Sequence, residues 1–251
     1  MFIHRDFIAT YKQTILGPLW FFLQPLLTTL MFSLIFGKIA GLSTEGAPMI
    51  LFYLSGITIW NYFSETLNKT ATVLKDNAHL FGKIYFPRLT LPISIVLSNL
   101  IRFAIQFLLF VVVLFYYYRY SSSSSINPNL YILITPLLVF LMGLMALGIG
   151  LIISALTNKY KDLIFLISFG IQLLMFATPV IYPLSTVPEK YKAFIMANPL
   201  TPIVEAFRYG FLGTGYFNWY SLLYSFCCTL ILILTGTLIF NKVERNFMDT
   251  V

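Results

Sequence analysis

Phe107-Leu-Leu-Phe-Val-Val-Val-Leu-Phe115 is an apolar stretch with no polar residue to turn toward water. It sits inside one of six long apolar runs, at about 19–42, 48–71, 89–117, 129–156, 162–181 and 218–241. Each has the length of about 20 residues that a helix needs to cross a bilayer. In hydrocarbon every backbone N–H and C=O must pair within the segment, so such runs are helices. A transmembrane barrel would alternate apolar and polar residues, and these runs do not. The expected fold is therefore all-α and polytopic, with six transmembrane helices in a single transmembrane domain, 1–251. A chain that is 59% hydrophobic and only 10% charged has no room for a separate soluble domain.

The basic residues set the orientation, because Lys and Arg accumulate in cytoplasmic loops. Arg5, Lys12, Lys69, Lys75, Lys83, Arg88, Lys159, Lys161, Lys242 and Arg245 fall on one side. Lys38, Arg119, Lys190, Lys192 and Arg208 fall on the other, and Arg102 lies within a span. The first group marks the cytoplasmic face, so both termini are expected inside. The net charge of +7 then reflects topology and contact with anionic lipid, not nucleic-acid binding. Adjacent Cys227 and Cys228 cannot readily close an unstrained disulfide and are expected to be small buried residues. No cleavable signal peptide is evident; the chain begins directly in an amphipathic segment, as if a few residues preceded it.

Between the runs, residues 2–16 place Phe2, Ile3, Phe7, Ile8, Tyr11 and Ile15 among Arg5, Asp6, Lys12 and Gln13, the pattern of a helix lying in the membrane interface. The stretch 182–217 is rich in proline yet apolar, and Asn198-Pro199 divides it. Two short helices, about 184–197 and 200–213, are expected to dip into the outer leaflet as a re-entrant hairpin, tolerated only where protein or water surrounds it. Residues 77–92 form a short basic, aromatic link, with Lys75, Lys83 and Arg88 around Leu80, Phe81, Ile84, Tyr85 and Phe86. Read from the residues, this link either grips a soluble partner or lies on anionic lipid.

Catalytic signatures are missing. Gly82-Lys83 lacks the rest of a phosphate loop, His4 and His79 stand alone, and no Gly-x-Ser-x-Gly elbow occurs. The chain is expected to hold no metal or cofactor and to have no catalytic residues. Glu65 and Arg102 are the main charges at depth. Such groups are costly and face the bundle interior. They line a pathway, or form a structural ion pair, or Arg102 snorkels toward the headgroups.

Several motifs together resemble the membrane subunit (permease) of type-2 ABC exporters of the O-antigen, capsule and teichoic-acid group. They are Tyr11-Lys-Gln-Thr-Ile-Leu-Gly-Pro-Leu-Trp20 with Gln24-Pro25, Phe81-Gly-Lys-Ile-Tyr-Phe-Pro-Arg-Leu-Thr-Leu-Pro92, Tyr160-Lys-Asp162, and Pro179-Val-Ile-Tyr-Pro183 with Pro188. Asn198-Pro-Leu-Thr-Pro-Ile-Val-Glu-Ala-Phe-Arg208 and Glu244-Arg-Asn-Phe-Met-Asp249 complete the series. The resemblance implies a homodimer in the bacterial inner membrane, paired with two ATP-binding cassette subunits that hold ATP and Mg. It also implies a coupling helix at about 76–85, through which Leu80, Phe81, Lys83, Tyr85 and Arg88 engage the ATPase, and gate helices before the last span. The cargo it implies is a lipid-linked polysaccharide; a drug or lipid exporter shares the layout, and a membrane-embedded glycan-processing enzyme is the further alternative. Aromatic faces suit sugar C–H groups, which nominates Trp20, Phe21, Phe32, Phe36, Trp60, Tyr62, Phe63 and Phe176, with Glu65 and Arg102, for the substrate pathway; each aromatic serves equally for helix packing. Tyr182, Asn198, Glu205 and Arg208 are the gate candidates, Glu205 and Arg208 being spaced for a local surface pair.

Overall fold

A computed structural model describes residues 17–77, 89–120, 126–159 and 162–248. The interfacial segment 2–16 lies outside this range, as do residues 78–88 with Leu80, Phe81, Lys83, Tyr85 and Arg88. Among the described residues every regular element is helical. We number the α-helices in chain order: α1 Trp20–Phe32, α2 Met49–Ala71, the single turn α3 Val73–Asp76, α4 Thr90–Tyr120, α5 Thr135–Lys159, α6 Leu163–Phe176, α7 Glu189–Met196, α8 Thr201–Leu212 and α9 Trp219–Met248. A π-helical stretch, Ser33–Ile39, prolongs α1.

Four stretches are long and apolar enough to cross a membrane: Trp20–Ile39, Thr90–Tyr120, Leu130–Thr157 and Trp219–Val243. The other two expected spans differ for opposite reasons. Helix α2 has 23 residues but carries Asn61, Ser64, Glu65, Asn68 and Lys69, which lower its hydropathy. Helix α6 is apolar but stops at Phe176, short of residue 181, because residues 177–182 turn the chain toward Pro183. Helices α4 and α9 run past their expected ends, to Tyr120 and Met248.

Helix α2 is the axis of the bundle. It packs against α5 and α4, with α1 on a third side, while α9 lies on the far side of α5. Sixteen of its residues are buried, including Phe52, Tyr53, Trp60, Tyr62 and Phe63. Backbones come closest where α5 crosses α9: a Cβ on Gly148 would stand 2.8 Å from the Leu232 carbonyl carbon, and one on Gly236 2.6 Å from the Gly148 oxygen. Only glycine permits that approach. Helices α4 and α5 splay apart over α2 and leave an apolar groove of 840 Å³, walled by Leu97, Leu100, Phe140 and Leu144 among others.

Helix α9 packs along one face only, and Cys227 is exposed with Cys228 half-buried. This corrects the expectation that both are buried. On a helix fit to face hydrocarbon, a thiol loses nothing by pointing outward, so its low polarity does not draw it into the protein.

Candidate functional site

Three polar rungs join α2 to α4. Asn61 Nδ2 donates to Gln106 Oε1 at 3.4 Å, Arg102 Nη1 to Glu65 Oε2 at 3.1 Å, and Asn99 Nδ2 to Thr66 Oγ1 at 3.1 Å. The side chains lie on facing stripes because residues three to four apart share a helix face. Arg102 is buried to 10% side-chain exposure, whereas Glu65 keeps 32%. Its guanidinium lies 5.4 Å from the Phe21 ring centroid, so α1 covers the pair. Arg102 therefore turns into the bundle: its charge is held there by a carboxylate and an aromatic face.

The pathway aromatics divide by burial. Phe21, Trp60, Tyr62 and Phe63 are packed within the chain, with Trp60 against Phe63 and Tyr62 against Phe103. Tyr62 also occupies the space that a side chain at Gly143 of α5 would need. Phe32 and Phe36 are half-buried and meet edge to face at 5.4 Å. Trp20 and Phe176 are exposed.

The opposite end of α2 meets the segment between α6 and α9. A short 3-10 turn, Leu184–Thr186, precedes α7, and Pro188 at the N-cap position delays that helix to Glu189. Helix α8 opens with Pro202 in its first turn and ends at Gly213, whose φ of 74° suits the left-handed cap. Asn198, at the apex between them, donates to the Ala177 carbonyl at 3.2 Å and Thr178 Oγ1 at 2.9 Å, while its Oδ1 accepts from the Leu200 N–H. Tyr224 and Ser225 of α9 donate to the carbonyls of Ala197 and Pro199. Tyr182 OH donates to the Phe176 carbonyl at 2.9 Å. Phe207 and Phe211 pack against Phe107 and Phe110, which ties α8 to α4.

Arg208 is at the centre of this end. It is 1% exposed, donates to the carbonyls of Pro179 and Val180, and stacks 3.9 Å over Phe52 of α2. Glu205 lies 3.5 Å from it and accepts from the Tyr216 N–H at 2.9 Å. The pair is thus buried, not the surface pair that its spacing suggested. Burial pushes the Glu205 carboxyl above the usual carboxylate range, opposed by the Arg208 charge and the Tyr216 N–H. Burial likewise lowers the Arg208 guanidinium to about 10, with Glu205 acting against the shift. Ser185 donates to Glu45, linking the loop after α1 to the same assembly.

Reading the residues one by one named the members of both charged pairs, left the pairing of Glu65 with Arg102 open, and missed the flanking rungs Asn61–Gln106 and Thr66–Asn99. Their signal was present as polar residues recurring at helical spacing within apolar runs. The carbonyls of Pro179 and Val180 that hold Arg208 carry no residue-type signal. No group of His, Cys, Asp or Glu side chains suited to hold a metal ion occurs among the described residues.

A helical bundle with four membrane-length apolar stretches and paired charges at depth defines a polytopic membrane protein. The chain belongs to the ABC-2 type transporter family, whose profile matches residues 1–212. Over 248 residues it is 28% identical to the O-antigen export system permease protein RfbA of Klebsiella pneumoniae, covering 98% of this chain and 92% of that protein. It is 26% identical over 251 residues to the RfbA permease of Myxococcus xanthus, covering 99% and 93%. With the polysialic acid transport protein KpsM of Escherichia coli it shares 25% identity over 247 residues, covering 98% and 93%.

Proposed function

We propose that this chain is the channel-forming permease subunit of an ATP-driven exporter that carries polysaccharide across the bacterial inner membrane. The observation that carries this reading is similarity along almost the whole chain to permeases named for O-antigen and polysialic acid transport. The permease works as a homodimer with two ATP-binding cassette subunits, which hold ATP and Mg. Its cargo is an O-antigen-like glycan on a lipid carrier.

Six spans with both termini in the cytoplasm complete the topology, α2 and α6 joining the four apolar stretches. Helix α2 suits an interior position because α4 bonds its Asn61, Glu65 and Thr66 side chains and its remaining polar groups would be costly against lipid. Residues 77–92 couple the permease to its ATPase, with Leu80, Phe81 and Tyr85 as apolar anchors and Lys83 and Arg88 facing acidic partners. Helices α7 and α8 form the re-entrant outer gate, in which Tyr182, Asn198, Glu205 and Arg208 set the closed position. Closure of the ATPase pair rocks the two permeases and advances the glycan.

Deleting the gene should abolish surface polysaccharide and leave it inside the cell, and re-expression should restore it. Unchanged surface polysaccharide, with loss of a drug or lipid export phenotype instead, would contradict the reading. Phe81→Asp should release the ATPase from an otherwise inserted permease; retained ATPase in a pull-down would exclude the docking role.

A further inference from the structure

From Leu51 to Leu74 nearly all of the chain is buried, and the residues that are not form one set: Asn61, Ser64, Glu65, Asn68, Lys69 and Thr72. All six are polar. At 100° per residue the five within α2, Asn61 to Lys69, fall in an arc of about 140° and extend about 12 Å along its axis, and Thr72 follows at the C-cap. The least covered face of α2 is thus continuously hydrophilic; Asn61 and Glu65 on it reach α4, while among the described residues Ser64 and Asn68 make no side-chain hydrogen bond to another helix. Part of it opens onto a cavity of 250 Å³ between α2 and α6, bounded by Asn68, Lys69 and Thr72 on one side and Ile164, Ile167 and Ser168 on the other.

We propose that this stripe is a hydrogen-bonding track for the hydroxyl-rich glycan, and that the chain reads its cargo there by polar contacts. The inference rests on the polysaccharide-export reading. Lipid does not suit this face, since hydrocarbon would leave the Asn68 amide unsatisfied at a cost of about 2–7 kcal/mol and desolvate the part-exposed Glu65 carboxylate. The contrast with the α4–α5 groove is direct, for that groove is walled by Leu and Phe side chains and suits acyl chains. Ordered sugar hydroxyls and their water need both donors and acceptors. The Asn68 amide supplies donors and an acceptor, while the Ser64 and Thr72 hydroxyls, which donate within the chain, keep lone pairs to accept. Among the described residues the Asn68 side-chain amide has no hydrogen-bond partner, which leaves it ready for a ligand. Trp60 and Phe63 are buried in the chain on the other faces of α2, so this track contacts sugar by hydrogen bonding and not by stacking.

The test uses the permease with its ATPase in membranes, with Cys227 and Cys228 replaced by serine. Single cysteines at Ser64, Asn68 and, as the lipid-facing reference, Leu97 are reacted with a charged, membrane-impermeant methanethiosulfonate. Labelling at 64 and 68 should be at least about tenfold faster than at 97, because thiolate forms readily only in contact with water. Equal rates, or disulfide cross-linking of position 68 between two copies in place of labelling, overturn the proposal. The double variant Ser64→Leu, Asn68→Leu should then lower polysaccharide export about tenfold with insertion and ATPase association unchanged, and Asn68→Gln should keep most of it. Wild-type export rates in the leucine variant overturn the track and leave the exporter reading standing. Failure of the unmutated complex to export polysaccharide overturns both.

Discussion

The molecule contains two Glu–Arg pairs, and they are built in opposite ways. Glu65–Arg102 bridges two helices far apart in sequence, keeps its carboxylate 32% exposed, and is flanked by neutral polar rungs. Glu205–Arg208 lies within one turn of α8, is 1–2% exposed, and depends on backbone carbonyls, an aromatic face and a backbone N–H to satisfy it. The first pair leaves its carboxylate partly open. The second is sealed, and its groups hold three chain segments together. On the proposed reading, a pair that faces a pathway has to stay accessible, whereas one that fixes a gate's geometry has to exclude water.

The largest effect should come from the sealed pair. Arg208→Ala leaves Glu205 buried beside empty space and frees two carbonyls, a loss of about 3–5 kcal/mol. Thermal unfolding of the purified permease in detergent measures it, and a change below about 1 kcal/mol would mean that water reaches the site. Arg208→Lys should recover only part of the loss, because an ammonium lacks the fork that serves both carbonyls.

Gly148→Val comes next. A branched side chain there meets the backbone of α9, not a movable side-chain end, so about 1–3 kcal/mol of overpacking is expected. Since the α5–α9 crossing touches neither pair, the same melt gives a reference for general loosening. Asn198→Ala should cost about 1–3 kcal/mol, as it removes the donor to Ala177 and Thr178 at the hairpin apex. The smallest effect should be seen at the open pair. A double-mutant cycle with Glu65→Gln and Arg102→Gln should give a coupling of about 0.6–1.7 kcal/mol, and the variants should lose export before they lose stability. Coupling as large as the Arg208 effect would remove the distinction between the two sites.

Hydropathy made the helices legible because bilayer length and backbone pairing leave a chain little choice. It served less well at α6, where it continued the span through residues 177–181 although Thr178 and Pro179 already belong to the turn that receives Asn198 and Arg208. Arg102 and Glu65 could be named from their cost at depth, but their pairing depends on the lateral register of α2 and α4, which no local pattern encodes. The burial of Glu205 and Arg208 depends on Phe52 and on Val180, residues distant in the chain or silent in side-chain type. The polar stripe of α2 was written in the sequence at helical spacing, yet its meaning needed the knowledge that every other face of the helix is covered.

Transport by the reconstituted complex tests the central claim most directly. Inside-out membrane vesicles carrying the permease and its ATPase would be given purified lipid-linked glycan, and lumenal polysaccharide would be measured with and without ATP. ATP-dependent accumulation that disappears in a Phe81→Asp permease is the expected result. Accumulation without ATP, or none by the intact complex despite an active ATPase, would contradict it.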